Sequence, residues 1–332
     1  WMNRSKKILQ NCRMRGFIIF LAFMCLPSCW AAHAYAQFGD IKYPQHFKFF
    51  EYVNPQAPKG GELVLVPPSR VTSFDKFNPF TLKGTSAPGL GQLVFESLLV
   101  GTMDEPTTAY GLLAEDVNVA ADRKSVIFKI RSNARFNNHD PVTAQDVKHS
   151  FDTLVSKEAA PQFRTLYAEV AGVSVLDTRT VRFEFKRPNP ELPLIVGAMP
   201  VFSARWGQQD GAPRKPFDKI ITEFPIASGP YVAGPTVFGR DISYDRNPDY
   251  WGRELNVRMG MFNFDRVTYR LYKDNTAQLE GFKAGEFDLI QSFIAREWAR
   301  GYTGKQFANG ELIKRELKHG NAGDFQGFLL NT

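Results

Sequence analysis

Two periodicities alternate along this 332-residue chain, and their alternation restricts it to a mixed α/β architecture. Apolar residues at every second position fit a strand, and apolar residues spaced by three and four fit one side of a helix. In Gly60-Gly61-Glu62-Leu63-Val64-Leu65-Val66 a flexible Gly pair feeds a short, continuously apolar strand suited to the middle of a sheet. Between Ser125 and Arg131, Val126, Phe128 and Ile130 alternate with Lys129 and Arg131. Ile127 breaks that pattern, which predicts a strand buried on both faces at its centre. Val181, Phe183 and Phe185 alternate with Arg182, Glu184 and Lys186, and the turn chemistry of Asp177-Thr178-Arg179 leads back to Val173 and Val175. A hairpin is expected there.

Helix signals interleave with these strands. Thr143 is placed to cap a first turn, with Asp146 three residues on facing the positive end of the helix dipole. Ala144, Val147, Phe151 and Leu154 then form one apolar stripe, so this helix packs on a sheet. A second helix is predicted from Thr276 to Ala284, ended by Gly285 in the left-handed conformation and followed by a strand, Phe287-Asp288-Leu289-Ile290. Lys76 to Gly91 reads as loop, and the apolar run Leu90 to Val100 reads as a buried helical stripe carried by Leu93, Val94, Ser97 and Leu98. Proline-rich breaks at Pro188–Pro200 and Pro213–Pro216 suggest crossings between lobes.

The first 36 residues follow different physics. Arg4, Lys6, Lys7, Arg13 and Arg15 make a basic stretch with no acidic residue before Asp40, and an apolar run from Phe17 to Leu26 follows. That pattern predicts a secretory signal, because the run falls short of the ~20 apolar residues a membrane-crossing helix needs. Ala34-Tyr35-Ala36 offers the small, spaced side chains of a cleavage site before Gln37. Leu26-Pro27-Ser28-Cys29 is the competing lipoprotein-type site, to which Pro27 is a poor fit. All three cysteines, Cys12, Cys25 and Cys29, lie in this leader, so no disulfide framework is expected beyond it. Losing the leader's five basic residues lowers the formal charge from +7 to about +2, which excludes a nucleic-acid footprint. The roughly 300 residues that follow exceed what one core usually holds, so at least two lobes are expected. The 43% hydrophobic and 14% aromatic content of the whole chain argues against disorder.

Catalytic signatures are missing from the sequence. It holds no G-x-S-x-G elbow, no H-E-x-x-H, and no P-loop, since Gln306 follows Gly304-Lys305. His46, His139, His149 and His319 are scattered rather than set at metal-ligand spacing. His139 beside Asp140 offers the pairing of an oriented base, but before Pro141 it reads better as a solvated turn. Binding physics remains: a loop rich in Gly, Ser and Thr can present backbone partners to a ligand, and Lys83-Gly84-Thr85-Ser86 is such a loop.

Four ordered segments resemble the family 5 solute-binding proteins of ABC importers, which include oligopeptide, dipeptide and nickel binders. The first joins Gly111-Leu112-Leu113-Ala114-Glu115-Asp116, Phe128-Lys129-Ile130-Arg131, Ala134-Arg135-Phe136 and Pro141-Val142-Thr143-Ala144-Gln145-Asp146-Val147. The others are Ser228-Gly229-Pro230-Tyr231, Arg246-Asn247-Pro248-Asp249-Tyr250-Trp251 and Ala284-Gly285-Glu286-Phe287-Asp288. Phe50-Glu51-Tyr52-Val53-Asn54-Pro55-Gln56-Ala57-Pro58-Lys59-Gly60-Gly61 is similar to the opening of the Yej-type subgroup, which imports oligopeptides and peptide antibiotics of the microcin C kind.

The resemblance implies a type II periplasmic-binding-protein fold of α/β class, in a C-terminally truncated fragment. Residues 1–36 are then the signal peptide, 37–92 and 198–332 form a discontinuous lobe I, 93–197 form an inserted accessory lobe II, and the second ligand lobe is largely missing. It implies a periplasmic, non-enzymatic monomer without cofactor or metal, whose partners are a peptide and the permease subunits of the inner membrane. A different solute (a metal chelate, a sugar, a haem-like molecule) and a periplasmic hydrolase are the rival readings. By position in the family, Lys83, Gly84, Thr85 and Ser86 touch the ligand backbone, Gln291 and Ser292 make another cleft contact, and Phe325 and Phe328 stand on an aromatic strand facing the cleft. For the two phenylalanines a core position is an equal reading.

Overall fold

The computed structural model describes residues 32–68, 71–209, 211–292 and 294–317. Phe325 and Phe328 lie outside the described residues. From the N-terminal side, β1 (Ala34–Ala36), β2 (Glu62–Leu65), the one-turn helix α1 (Leu90–Leu93), β3 (Glu96–Ser97), β4 (Leu99–Gly101), β5 (Thr108–Gly111), β6 (Ala114–Val119) and β7 (Ser125–Ile130) precede α2 (Ala144–Leu154). Then come α3 (Pro161–Leu166), β8 (Val170–Asp177), β9 (Thr180–Phe185), α4 (Leu192–Gly197), β10 (Pro200–Val201), β11 (Tyr231–Val237), β12 (Asp241–Arg246), β13 (Arg266–Arg270), α5 (Asn275–Lys283), α6 (Ala295–Arg300) and α7 (Lys305–Ala308).

One antiparallel sheet runs in the order β6-β7-β9-β8. The expected hairpin is β8 and β9, with the Arg179 N–H donating to Asp177 Oδ1 at 2.8 Å to close the turn. Across β7 and β9, Val126 faces Phe183 and Phe128 faces Val181, so the alternation read from sequence becomes one apolar face. α2 covers that face. Thr143 caps it through the reciprocal bond pair with Asp146, the Thr143 N–H reaching Asp146 Oδ2 at 3.0 Å and the Asp146 N–H reaching Thr143 Oγ1 at 3.4 Å. Phe151 of α2 meets Phe183 edge-on at 6.0 Å, and Phe128 meets it edge-on at 5.9 Å.

A second sheet has the order β11-β12-β13-β2, antiparallel except for the parallel pair β13 and β2. Gly61, at φ 74°, supplies the left-handed turn into β2, and its carbonyl accepts from the Asp265 N–H at 2.8 Å. A smaller sheet, β1-β5-β4, and the pair β10-β3 complete the arrangement among the described residues. One apolar cluster reaches from Phe74 through Phe128 and Phe183 to Tyr244 and Leu271.

Two expectations are corrected. The run Leu90 to Val100 is not a helical stripe; it is split into α1, β3 and the start of β4. Leu90, Leu93, Val94, Phe95, Leu98 and Leu99 are all buried, so the run is covered on every side and carries no helical period. Phe287-Asp288-Leu289-Ile290 is not a strand; it adds a single parallel bridge, Leu289 to Leu65, with Asp288 exchanging bonds with Val64. Phe287 turns inward to pack on Phe282 while Leu289 stays exposed, so only one residue reaches ladder geometry. The second helix is α5, begun one residue earlier than predicted and capped by Asp274 accepting from the Ala277 N–H at 2.8 Å. Gly285 follows it at φ 73°, as expected of a left-handed terminus.

Candidate functional site

The two parallel strands β2 and β13 end on the same side, and a cavity of about 1050 Å³ opens there. Its walls are the chain leaving β2 (Leu65 to Pro68), the end of β13 with the turn into α5 (Tyr269, Arg270, Tyr272, Lys273, Asn275), the segment Leu289 to Ser292, and Arg296, Glu297 and Tyr302 around α6. The carboxyl ends of parallel strands form a natural ligand crevice, because consecutive connections diverge there and leave a gap. The volume suits a ligand of several residues rather than an ion.

The lining combines aromatic faces with fixed polar groups. Tyr302 is buried against Phe282. Tyr272 donates to Glu286 Oε2 at 2.5 Å, and burial together with that carboxylate pushes its phenol up to about 12, so it is an uncharged donor at neutral pH. Arg270 Nη1 donates to the Glu286 carbonyl at 3.0 Å, which steadies its guanidinium at the rim. Asn275 Nδ2 donates to Glu297 Oε1 at 3.4 Å, joining the start of α5 to α6. Ser292 Oγ is shielded and has no hydrogen-bond partner among the described residues. Among them, no group of three or more His, Cys, Asp or Glu is placed to hold a metal ion.

Of the site residues expected from sequence, Gln291 and Ser292 line this cavity. Lys83, Gly84, Thr85 and Ser86 do not; they form a tied turn beside Asp75 and Lys76. The Asp75 N–H donates to the Thr85 carbonyl at 3.0 Å, and Asp75 Oδ1 accepts from the Thr85 N–H at 2.8 Å. Gly84 is at φ 79°, and a Cβ there would stand 2.6 Å from Asp75 Oδ1. Buried Lys76 holds the turn from below, donating to the Thr81 carbonyl at 2.7 Å and to the Lys83 carbonyl. Tyr269, Arg270, Tyr272, Asn275 and Tyr302 were not anticipated. For the first four the usable signal was position, where β13 gives way to α5; Tyr302 follows α6 and carried no such signal.

Two of the segments that carried the resemblance converge elsewhere, on Glu96 of β3. Its carboxylate is fully buried and accepts from Tyr250 Oη, from Trp251 Nε1 at 3.1 Å, and from Arg258 Nη2 at 3.2 Å. Burial pushes the Glu96 carboxyl upward while the Arg258 guanidinium pulls the other way. Trp251 Nε1 also reaches the Ser228 carbonyl at 3.0 Å, and the Asn247 N–H reaches the Pro230 carbonyl at 2.8 Å. Gly229 donates to the Val94 carbonyl at 2.8 Å, and any Cβ there would lie 2.4 Å from that oxygen. Ser228-Gly229-Pro230-Tyr231 and Asn247-Pro248-Asp249-Tyr250-Trp251 therefore lock the chain together around one buried charge, away from the cavity.

Residues 108–332 match the model of bacterial extracellular solute-binding proteins, family 5 (middle). The chain belongs to this family. It is 37% identical over 300 residues to the uncharacterized protein YejA of Escherichia coli, covering 90% of this chain and 48% of that one. It is 36% identical over 298 residues to the probable peptide-binding protein YejA of Agrobacterium fabrum, covering 88% and 48%. Among solved structures, it resembles the oligopeptide-binding protein AppA of Bacillus subtilis in complex with a nonapeptide, with a TM-score of 0.55, 19% identity, and coverage of 70% of this chain and 44% of that one. At that identity the likeness speaks for the fold, which is the type II binding-protein fold expected from sequence. This family 5 chain, of the Yej type, spans about half the length of the curated relatives it matches.

Proposed function

We propose that the chain is a ligand-gripping part of an extracytoplasmic ABC-importer component that captures oligopeptides and hands them, chemically unchanged, to a membrane permease. The observation that carries this reading is the cavity at the carboxyl ends of β2 and β13, walled by aromatic faces and fixed polar groups in a family of substrate-binding proteins. A peptide's main chain needs donors and acceptors at short range and tolerates varied side chains in hydrated space. Gln291, Ser292, Tyr272 and Asn275 offer such groups, and Arg270 supplies a cation suited to a peptide's carboxylate end. Lys83 to Ser86, which lie outside this cavity, are assigned a ligand contact made only when a second lobe closes over the peptide.

In this reading lobe I comprises residues 37–92 and 198–332, and 93–197 is the accessory lobe. The placement of β2 and β13 in the first set and of β6 to β9 in the second supports that division. The component works as a periplasmic monomer released by a cleaved leader, without catalysis. Isothermal calorimetry on the full-length protein with a mixed library of short peptides tests the assignment. Saturable heat is expected; no heat with any peptide, or hydrolysis of the peptides during titration, overturns it.

A further inference from the structure

Alanine on alternate positions has two physical meanings. Small side chains spaced by two fit a signal peptidase, and a spacing of two is also the period of a strand. In the structure Ala34-Tyr35-Ala36 is β1, paired with β5 from Ala34 opposite Tyr110 to Ala36 opposite Thr108. Its flanks are held as firmly. The Gly111 N–H donates to the His33 carbonyl at 2.8 Å, the Val117 N–H to the Ala32 carbonyl at 2.9 Å, and the Gln37 N–H to the Thr107 carbonyl at 2.9 Å. Ala34 is 3% exposed, in a cluster with Tyr43, Phe50 and Tyr110. Tyr35 Oη donates to the Pro190 carbonyl at 2.7 Å, and His33 Nε2 bonds the Tyr43 carbonyl at 2.9 Å. A cut after Ala36 would remove every one of these contacts except that of Gln37 and leave the β5 edge uncovered.

One contact locates the cut more closely. The Ala32 nitrogen lies 2.6 Å from Asp116 Oδ1, a bond an α-ammonium group makes more strongly than a peptide N–H. Cys29-Trp30-Ala31 places small residues at the two positions a signal peptidase reads, so the bond after Ala31 also meets the sequence rule. We propose that the leader is cut between Ala31 and Ala32, so that β1 stays in the mature protein and its new α-amino group pairs with Asp116. This rests on the export reading.

Intact-mass and N-terminal peptide analysis of the full-length protein, recovered from the periplasm of an expressing bacterium, tests it. The expected first residue is Ala32. A first residue of Tyr35 or Gln37, or a lipid-bearing Cys29, overturns the assignment. A chain that keeps its whole leader and stays in the cytoplasm refutes export instead, a separate result. Two substitutions sharpen the test: Ala31→Phe should block processing, and Ala36→Phe should leave the cut where it is, whereas the opposite pattern overturns the proposal. The readout is processing rather than stability, so a loss of folding caused by Phe at position 36 does not obscure it. In the processed protein, Asp116→Asn should lower the α-amino pKa toward its free value of about 8; an unchanged pKa also overturns the pairing.

Discussion

In the sheet β6-β7-β9-β8, Val126, Phe128, Ile130, Val181 and Phe183 are wholly covered, whereas by the cavity Leu289 is 61% exposed, and the segment beyond α7 leaves Ile313 at 66% and Leu317 at 79%. Both regions are rich in aliphatic and aromatic residues. In the first, the chain supplies both layers, a sheet and the apolar face of α2, so each side chain finds a partner within the same hundred residues or fewer. In the second the local cluster is small, Phe282, Phe287 and Tyr302 with half-buried neighbours, and it leaves Leu289 uncovered. Exposed apolar area of that kind marks a surface made to be covered by something else. A binding wall has to differ from a core in this way, because an occupant can only enter where the protein has not already filled the space.

The largest expected effect lies in the filled region. Phe183→Ala removes a ring wedged between Phe128 and Phe151 and should cost about 3–5 kcal/mol in chemical denaturation. A loss below about 1 kcal/mol would mean that the sheet is no better packed than the wall. Next comes pH. His149 on α2 is pushed down to about 4, by burial first and then by Arg214 beside it, with Asp152 opposing. Its folded value lies below the free value of 6.5, so its contribution is complete above pH 6.5 and is lost as the pH falls toward 4. Melting temperatures should decline through that window, and His149→Gln should flatten the decline; an unaltered slope would reassign it to other groups.

A smaller loss, about 1 kcal/mol, is expected for Thr143→Ala, which opens the reciprocal cap of α2. The smallest belongs to the wall: Leu289→Ser should change stability by less than about 0.5 kcal/mol while weakening peptide binding several-fold. Should Leu289→Ser cost as much as a core truncation, the wall is already packed and the contrast disappears.

What could be read in advance follows the same division. α2 and the β8-β9 hairpin were legible because their signals are local: a Thr and an Asp three apart, apolar residues on one stripe, a turn with Asp177 at its head. Leu90 to Val100 was misread because a run buried on every side carries no period. Phe287 to Ile290 was misread because a strand needs a neighbour along its length, and here only Leu65 bridges to it. Ala34 to Ala36 carried one pattern with two meanings, and the strand meaning became visible only in the pairing with β5. In the site, Gln291 and Ser292 came from position within a family pattern, while Arg270, Tyr272 and Asn275 are neighbours in sequence that meet Leu65 to Pro68 only through the parallel pairing of β13 with β2.

Hydrogen–deuterium exchange on the full-length protein, with and without a saturating peptide, tests most directly the claim that the unfilled wall is where the ligand sits. Peptide should slow exchange in the segment from Tyr269 to Tyr302 and leave β6 to β9 unchanged. Protection confined to β6 to β9, or none in either region while peptide is bound, would contradict it.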